Sequence, residues 1–457
     1  MIEAIEKFKK KFSGEIDLED SLNYDNARTV WNAMIDRKPK LIVRCKSKDD
    51  IVNAVKFGVE NSLVISVKGG GHNSAGTAVC DDGIMIDLSL MNKVEVDVNT
   101  NYVKVQGGSL LSDVDKETQK FGLAVSAGIV SHTGVGGLAT GGGFGWISRK
   151  YGLSVDNLVS AEIVTADGNI VNANKNENTD LYWAVRGGGG NFGIVVTFQF
   201  KAAKIGTEVF SGPIVKKFEN IKEYIRFHRE YVRTLPDEMT VWMVIRHAPP
   251  LEFLDKKTHG KLVILIPFVW LGNIEEGQKL IQPIKDFGET IGDGSGIHPW
   301  TAWQSAFDGL VEHGARNYWK SHHLKEISDQ CIESVEKFAK SMPSEECEIF
   351  IPHMEGAASR INPLATAFPH RKTPFVINIH TRWRDKNDDV KAITWAKELH
   401  KETEKSSQGV YVNFLSDEGK ERVKEAYTDE VWNKLLECKR KWDPENIFKM
   451  NQNINPK

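Results

Sequence analysis

The chain has 457 residues, of which 26% are charged and 40% hydrophobic, and its formal net charge is −3. This length exceeds what one hydrophobic core usually serves, so we expect two or three domains with a binding cleft between them. The balanced charge argues against nucleic acid and anionic membranes as partners, and no run of about 18 apolar residues predicts a membrane span.

The cysteines and the first residues bear on the compartment. The five cysteines are scattered, odd in number and without metal-ligand spacing, so we expect neither a disulfide framework nor a zinc site. The opening "MIEAIEKFKKKF" has helical spacing and lacks the apolar core of a signal peptide. These features predict an amphipathic first helix and a cytoplasmic location.

The first 200 residues predict mixed helices and strands. Residues 41–45 predict a strand, and Ser47 with Asp50 forms a capping-box pattern at the start of a helix. A β-α-β unit therefore leads to the glycines at 69–71. Further on, two alternating valine segments predict one hairpin, and the dipeptide at 167–168 predicts another.

The amino-acid composition changes near residue 205, where glycine becomes rarer. Aromatic strands such as 240–246 and 261–270 alternate with helical stretches such as 322–340, which predicts an antiparallel sheet backed by helices. After residue 408, a strand-like "GVYVNFL" precedes a helical stretch at 418–440. We therefore predict an α+β protein with three parts, at 1–204, 205–408 and 409–457.

Three glycine clusters lie in the first part, at 69–71, 134–145 and 187–190. Each lies beside an apolar strand, which favours loops whose backbone N–H groups converge on phosphate oxygens. Flexible surface turns are the simpler alternative. A phosphate loop is excluded because Lys68 precedes the glycines. A Rossmann fingerprint is matched nominally at 134–139, but no apolar strand leads into it and glycine continues where a helix should begin.

The motifs together resemble a known family. "VKGGGHNSAG" (67–76), the second glycine field (127–153) and "DPENIFKMNQNI" (443–454) resemble the berberine bridge enzyme-like branch of the vanillyl-alcohol oxidase type of FAD enzymes. The resemblance runs from about residue 30 to the C-terminus and is strongest over 63–200 and 409–457. It implies a two-lobed FAD-binding fold, a substrate lobe built on the antiparallel sheet, and a small-molecule substrate.

The resemblance also implies that FAD is attached covalently through His72. Relatives often attach the flavin a second time through a cysteine, but this chain has Val130 there, so we expect one link. Lys68 stands where the family usually has arginine, which keeps the charge and loses the fork of donors. The residues expected at the cofactor are Lys68, Gly69, Gly70, Gly71, His72, Asn73, Ser74, Gly76, Thr133, Gly134, Gly137, Gly141, Gly143, Phe144, Gly145, Ile194, Val195, Asn413, Asn451 and Asn453.

The family's usual general base is missing. Phe144 and Phe414 stand where alcohol- and sugar-oxidising relatives carry tyrosines, and phenylalanine accepts no proton. Tyr411 remains and is expected near the flavin as a catalytic residue. In "FVINIHTRW" (375–383), strand alternation places His380 on a polar face with Asn378 and Arg382, which predicts it as the base. A solvent-facing edge strand is the alternative.

Two other groups rank below His380. His353 and Glu355 lie in "IPHMEGAASR" and are a further candidate pair for proton transfer. We interpret His370 and Arg371 as structural or substrate-edge residues.

The predicted function is FAD-dependent oxidation of an alcohol, a sugar hemiacetal or a related C–H donor, with hydride transfer to flavin N5 and a base taking the hydroxyl proton. We expect O₂ to reoxidise the flavin, although Thr133 replaces a small aliphatic residue that relatives use to gate oxygen. Two rivals remain: a flavoprotein that binds a drug and confers resistance, and a dehydrogenase with a non-oxygen acceptor. Substrate and oligomeric state are not predicted.

Overall fold

The computed structural model describes residues 2–457, which begin with a helix and a four-stranded sheet. The strand order is β1-β2-β4-β3, with β1 antiparallel to β2, and with β2 and β3 both parallel to β4. The predicted capping box between Ser47 and Asp50 starts the crossover helix, so the β-α-β unit is confirmed. These elements are α1 (Ile2–Lys9), β1 (Glu15–Leu18), α2 (Tyr24–Arg28), β2 (Leu41–Arg44), α3 (Lys48–Glu60), β3 (Ile65–Lys68) and β4 (Ile84–Asp87).

A second, antiparallel sheet follows with the order β5-β6-β10-β8-β9, beside a two-stranded pair of β11 and β7. Its elements are β5 (Val94–Asp97), β6 (Tyr102–Gln106), α4 (Leu111–Thr118), β7 (Leu123–Ala124), α5 (Val135–Thr140), α6 (Ser148–Tyr151), α7 (Ser154–Asn157), β8 (Leu158–Val164), β9 (Ile170–Asn174), α8 (Thr179–Ala184), β10 (Ile194–Lys201) and β11 (Ala203–Lys204).

Both predicted hairpins are present in this sheet, as β5-β6 and β8-β9. One detail differs from the prediction. A short helix, α5, begins directly after Gly134, where we expected glycine to prevent one. The described residues between β7 and α5 form no strand, so a Rossmann β-α turn is still excluded.

The third sheet has nine antiparallel strands in the order β16-β12-β15-β14-β19-β20-β18, with β13 paired to β15 and β17 paired to β12. Helices cover one of its faces. The elements are β12 (Glu208–Lys217), α9 (Ile221–Tyr231), β13 (Met239–Val241), β14 (Met243–His247), β15 (Leu262–Trp270), α10 (Ile274–Asp286), β16 (Thr290–Asp293), β17 (Gly296–Pro299), α11 (Trp300–Gln304), β18 (Arg316–Leu324), α12 (Asp329–Ala339), β19 (Glu348–Ile351), α13 (Ala357–Arg360), β20 (Phe375–Trp383) and α14 (Asp389–Thr403).

Side chains alternate between the two faces of this sheet, as strand geometry requires. Ile349, Ile377 and Ile379 pack into the core under α9, α12 and α14, whereas Phe350 and His380 face the other way. β20 lies between β19 and β18, and all nine of its residues are buried. The alternative of a solvent-facing edge strand is therefore wrong.

Two predicted elements need correction. The helical stretch expected at 322–340 is the end of β18 followed by α12, because strand pairing with β20 extends to Leu324. The segment 409–415 contains a single tight turn, Val412–Phe414, and not a strand, because its side chains bind the second glycine field. The helical stretch expected at 418–440 is divided into α15 (Lys420–Lys424) and α16 (Asp429–Trp442), the latter capped by Thr428.

The sheets divide the chain where the composition changes. The first two sheets and the β7-β11 pair use strands from 15–204, and the third uses strands from 208–383. The C-terminal tail returns to the first part, where the N–H of Ile454 donates to the side-chain oxygen of Asn191 at 2.9 Å. The three ranges as separate domains stay a prediction. None of the helices within 2–457 combines the length and apolar character that a membrane crossing requires.

A buried carboxylate joins the second sheet's helix to the large sheet. Asp115 on α4 accepts N–H groups from Trp300 at 2.9 Å and Gln304 at 3.1 Å, both on α11. Burial raises the pKa of Asp115 to about 6, because these two donors only partly compensate for lost hydration. Asp115 therefore holds a proton more tightly in the folded chain than in the unfolded chain.

Replacing Asp115 with Asn should stabilise the protein at neutral pH. The pKa of Asp115 is higher in the folded chain than its unfolded value of 3.8. The stabilisation that comes from binding the proton is therefore present at about pH 4 and is lost as pH rises to about 6. We expect D115N to exceed the wild type by about 1–3 kcal/mol in unfolding free energy at pH 7 and to match it at pH 4. Urea unfolding at both pH values measures this. An equal deficit for D115N at both pH values would contradict the assigned pKa.

Candidate functional site

A deep cleft lies between the glycine loops and the uncovered face of the large sheet. It contains about 2210 Å³ of empty space, its open mouth included. The part of this space that the centre of a water molecule can occupy is about 370 Å³, which lies within the roughly 300–1,000 Å³ of typical small-molecule sites. Loops after β3 and around α5 form one wall, and strands β14, β15, β19, β20 and β18 form the other.

Two glycine loops contact each other through their backbones. A Cβ added at Gly70 would lie 2.6 Å from the Cα of Gly134, and one added at Gly134 would lie 2.8 Å from the Cα of Gly70. Both positions line the cleft. Real side chains do not tolerate such distances, so glycine at both positions brings two runs of bare backbone together beside the cleft.

His72 follows the first glycine loop and lines the cleft. Its ring stacks on Trp31, with centroids 4.4 Å apart and an interplanar angle of 16°. Its Nε2 atom is buried and has no partner among the described residues. Burial, with smaller effects from His132 and His313, holds the pKa of His72 well below its usual value. The imidazole is therefore neutral at pH 7, with a lone pair available for bonding.

Most of the residues predicted at the cofactor or in catalysis meet in this cleft. Those that line it are Gly69, Gly70, Gly71, His72, Asn73, Thr133, Gly134, Gly137, Phe144, Ile194, Val195, His380, Tyr411, Asn413 and Asn451. Val130 lines it as well. The cleft thus joins segments that lie up to about 380 positions apart in the sequence.

Other predicted residues lie behind the lining. Three glycines pack against their own surroundings, since a Cβ at Gly141, Gly143 or Gly145 would collide with Asn413, Ser154 or the Ala127 carbonyl. Ser74, Gly76 and Asn453 also lie outside it. Ser74 donates to the Leu415 carbonyl at 3.3 Å, and Gly76 packs on Ile35.

Lys68 does not face the cleft. Its Nζ donates to the Ala27 carbonyl at 3.0 Å and lies 3.4 Å from the buried carboxylate of Asp87. The Lys68 charge, which was expected to support a pyrophosphate, instead lies next to Asp87 at the end of β4. We therefore expect backbone N–H groups to provide most of the contacts to a phosphate on this wall.

A row of charged and aromatic side chains crosses four strands of the opposite wall. Arg246 pairs with Glu348, Glu348 with His380, and His380 with Trp319 in the strand registers. All four line the cleft. One oxygen of Glu348 accepts from Arg246 at 2.7 Å, and the other lies 3.0 Å from Nδ1 of His380. Burial alone would raise the pKa of Glu348, but Arg246 and His380 lower it to about 2.

His380 is arranged to take up a proton. The ionised Glu348 can only accept, so Nδ1 of His380 carries the hydrogen and Nε2 carries the lone pair. Nε2 lies 3.4 Å from the side-chain oxygen of Asn317, which would accept from it once protonated. Burial lowers the pKa of His380, and Glu348 opposes that effect. The ring is therefore a neutral base whose cation has acceptors at both nitrogens.

Tyr411 has a different character. Its hydroxyl accepts the N–H of Gly143 at 2.9 Å and the side-chain N–H of Asn413 at 2.8 Å. Burial raises the pKa of Tyr411 to about 12, so it stays a phenol at neutral pH. Phe144 and Phe414 pack on its ring, with centroids 5.3 and 4.8 Å away. Tyr411 thus supports the second glycine field, and its hydroxyl hydrogen is available to donate.

The lower-ranked candidates lie outside the cleft. His353 is buried between Arg149 at 2.9 Å and Glu355 at 2.8 Å. Arg371 makes a bidentate ion pair with Asp156, both distances 2.7 Å, which fits its structural interpretation. Arg382, predicted on the same face of β20 as His380, donates to Glu346 at 2.8 Å, and its guanidinium lies over the Trp31 ring.

Sequence reasoning missed Arg246, Glu348 and Trp31. The first two alternate with apolar residues in "MVIRH" and "CEIFI", so the same strand pattern that indicated His380 could have identified them. Trp31 gave no local signal, because the loop that it packs against lies about 40 positions away.

The residues present fit an FAD. Three loops of bare backbone line one wall, where N–H groups can approach phosphates. Several buried polar atoms of cleft-lining residues have no partner among the described residues, namely Nε2 of His72 and the side-chain oxygens of Asn378 and Asn451. Since an unpaired buried polar atom is costly, a polar ligand at this site is the simplest way to satisfy them.

Comparison with known proteins agrees with this fit. Residues 39–174 match the family described as FAD binding domain, and residues 410–455 match the one described as berberine and berberine like. An FAD-linked oxidoreductase of Dictyostelium discoideum is 30% identical over 99% of this chain and 97% of its own. The (R)-6-hydroxynicotine oxidase of Paenarthrobacter nicotinovorans is 29% identical over 97% of each.

Solved structures confirm the predicted fold. The crystal structure of 6-hydroxy-D-nicotine oxidase from Arthrobacter nicotinovorans superimposes with a TM-score of 0.87 at 27% identity, and the match covers 98% of both chains. The two-lobed architecture, in which the large third sheet forms the second lobe, is therefore that of flavin-dependent relatives.

Gly70→Ala should weaken this wall of the cleft. The new Cβ would press on the backbone of Gly134, which cannot move aside like a side chain, so we expect a loss of about 1–3 kcal/mol in unfolding free energy and less bound flavin per chain. Gly309→Ala is the matched control, because a Cβ there meets nothing within 4 Å. Urea unfolding and the flavin-to-protein absorbance ratio report both effects. Wild-type values for G70A would contradict the close contact.

Proposed function

The chain belongs to the berberine bridge enzyme-like family of FAD-linked oxidoreductases, and on that premise we propose that it oxidises an alcohol, a sugar hemiacetal or a related C–H donor. When bound, FAD would supply the two-electron acceptor for this oxidation, with dioxygen as the proposed final acceptor. The observation that carries the proposal is His380, hydrogen-bonded to Glu348 on the wall that faces the glycine loops.

His72 and the glycine loops hold the cofactor in this proposal. The unpartnered Nε2 and the neutral state of the His72 ring support covalent attachment to the flavin. Val130 has no nucleophilic atom, so His72 makes the only link in this proposal. The backbone at Gly69–Gly71 and Gly134 receives the phosphates.

The opposite wall binds the substrate and moves its proton. His380 accepts the hydroxyl proton as the C–H bond breaks, while Glu348 stabilises the resulting imidazolium and Arg246 keeps Glu348 ionised. Trp242, Phe350 and Trp319 line the same wall, so the reacting carbon lies among aromatic rings that exclude water. A cytoplasmic site of action is part of the proposal, supported by five buried, unpaired cysteines.

Removing the base should slow flavin reduction. We expect His380→Gln to lower the rate constant by about 10²- to 10⁴-fold, the usual contribution of a positioned base. His353→Gln is the matched control, because His353 is also buried beside a glutamate but lies outside the cleft. Stopped-flow bleaching of the flavin by a substrate found in a panel of alcohols and sugars gives both rates. Equal rates for H380Q and H353Q would eliminate His380.

The pH profile gives a separate test of the His380–Glu348 pair. Because burial lowers the pKa of His380, the wild-type rate should be constant above about pH 7 and fall only on the acid side. Glu348 raises that pKa, so Glu348→Gln should move the acid limb to lower pH while reducing the plateau rate. An acid limb that moves to higher pH would contradict the pairing.

The same measurements separate the rival functions. A protein that only binds a drug would show no bleaching with any donor. A dehydrogenase with another acceptor would bleach normally and reoxidise slowly in air after dithionite reduction. Rapid reoxidation in air is the outcome that the proposed oxidase predicts.

A further inference from the structure

Three histidine rings meet at the edge of the cleft. His132 lies 5.0 Å from His72 between ring centroids, and His313 lies 5.4 Å from His132 and 6.5 Å from His72. Both ring nitrogens of His132 are buried and have no partner among the described residues. His313 is exposed. The ring of His72 therefore has two ring neighbours, Trp31 and a second imidazole.

The glycine contact explains why the two imidazoles meet. Gly70 touches Gly134 backbone to backbone. His72 lies two residues after Gly70, and His132 lies two residues before Gly134. The His72–His132 pair therefore results from the same contact between glycine loops that forms one wall of the cleft.

We propose that His132 accepts the proton that His72 releases when the flavin is attached. This inference rests on the proposed attachment through His72. In the attachment reaction, a His72 ring nitrogen bonds to the carbon of the flavin 8α-methyl group. That carbon loses one proton and His72 loses another, and the two electrons stay on the flavin until dioxygen takes them as hydrogen peroxide.

The surroundings favour His132 as the acceptor. Burial lowers the pKa of His132, and Arg382 adds to that effect. Asp308 acts in the opposite direction through its carboxylate and its backbone, and the Glu312 carboxylate does so more weakly. The pKa of His72 is held well below its usual value by burial, with further lowering from His132, His313 and His380 that a hydrogen bond to its own backbone opposes. A proton is therefore accommodated better on His132 than on His72. His313 then offers a route from His132 to solvent.

The test separates binding of flavin from its attachment. His132→Phe keeps a flat ring against His72 and removes both nitrogens. Total flavin is measured by absorbance of the native protein, and attached flavin by the colour that stays in the pellet after acid precipitation, followed over time with added FAD. We expect H132F to bind flavin but to attach it at least about 100-fold more slowly than the wild type. Free imidazole should restore attachment in His132→Ala.

The control is His247→Phe, because His247 also has a buried nitrogen without a partner among the described residues but is not one of the rings next to His72. It should attach flavin like the wild type. Attachment by H132F at the wild-type rate would overturn the proposal, and so would the loss of all bound flavin, which would indicate a role in binding. If the wild type itself releases its flavin into the acid supernatant, attachment through His72 is wrong and this inference fails with it.

Discussion

The backbone contact between Gly70 and Gly134 is the constraint on which the site depends. It joins the loop after the parallel β3 to the loop before α5, and so connects the two sheets of the first part at the cofactor wall. A single methyl group on either residue would separate these loops. The contact also fixes the position of His72 and of the imidazole beside it. The glycines at 69–71 thus provide bare backbone and also position the residue proposed to hold the flavin.

The opposite wall depends on strand register. Arg246, Glu348, His380 and Trp319 come from four different strands, and antiparallel pairing places them in one row across the sheet. A shift of one residue in any strand would turn its member toward the helices. The apolar residues that alternate with them, such as Ile349 and Ile379, fix that register because they fill the core under the helices. Packing on one face of the sheet therefore positions His380, the proposed proton acceptor, on the other.

Local patterns predicted much of the fold and, within the site, the strand face that carries His380. The capping box at Ser47, the two hairpins and the alternation that exposes His380 to the cleft are all short-range signals, and each is confirmed. Long-range contacts were not predictable in this way. The turn at Val412–Phe414 reads as a strand in isolation and is bent by its hydrogen bonds to the second glycine field. Lys68 is directed to Asp87 by strand pairing, although the motif suggested a phosphate contact.

The most direct test of this account is to find which residue carries the flavin. Trypsin should release His72 in a peptide covering 69–93 and His132 in one covering 121–149, and each peptide contains one histidine. Mass spectrometry of the purified protein should find the flavin on the first peptide and leave the second unmodified. Flavin on the second peptide, or on neither, would contradict the central claim that the glycine loop at 69–71 presents His72 as the single attachment point.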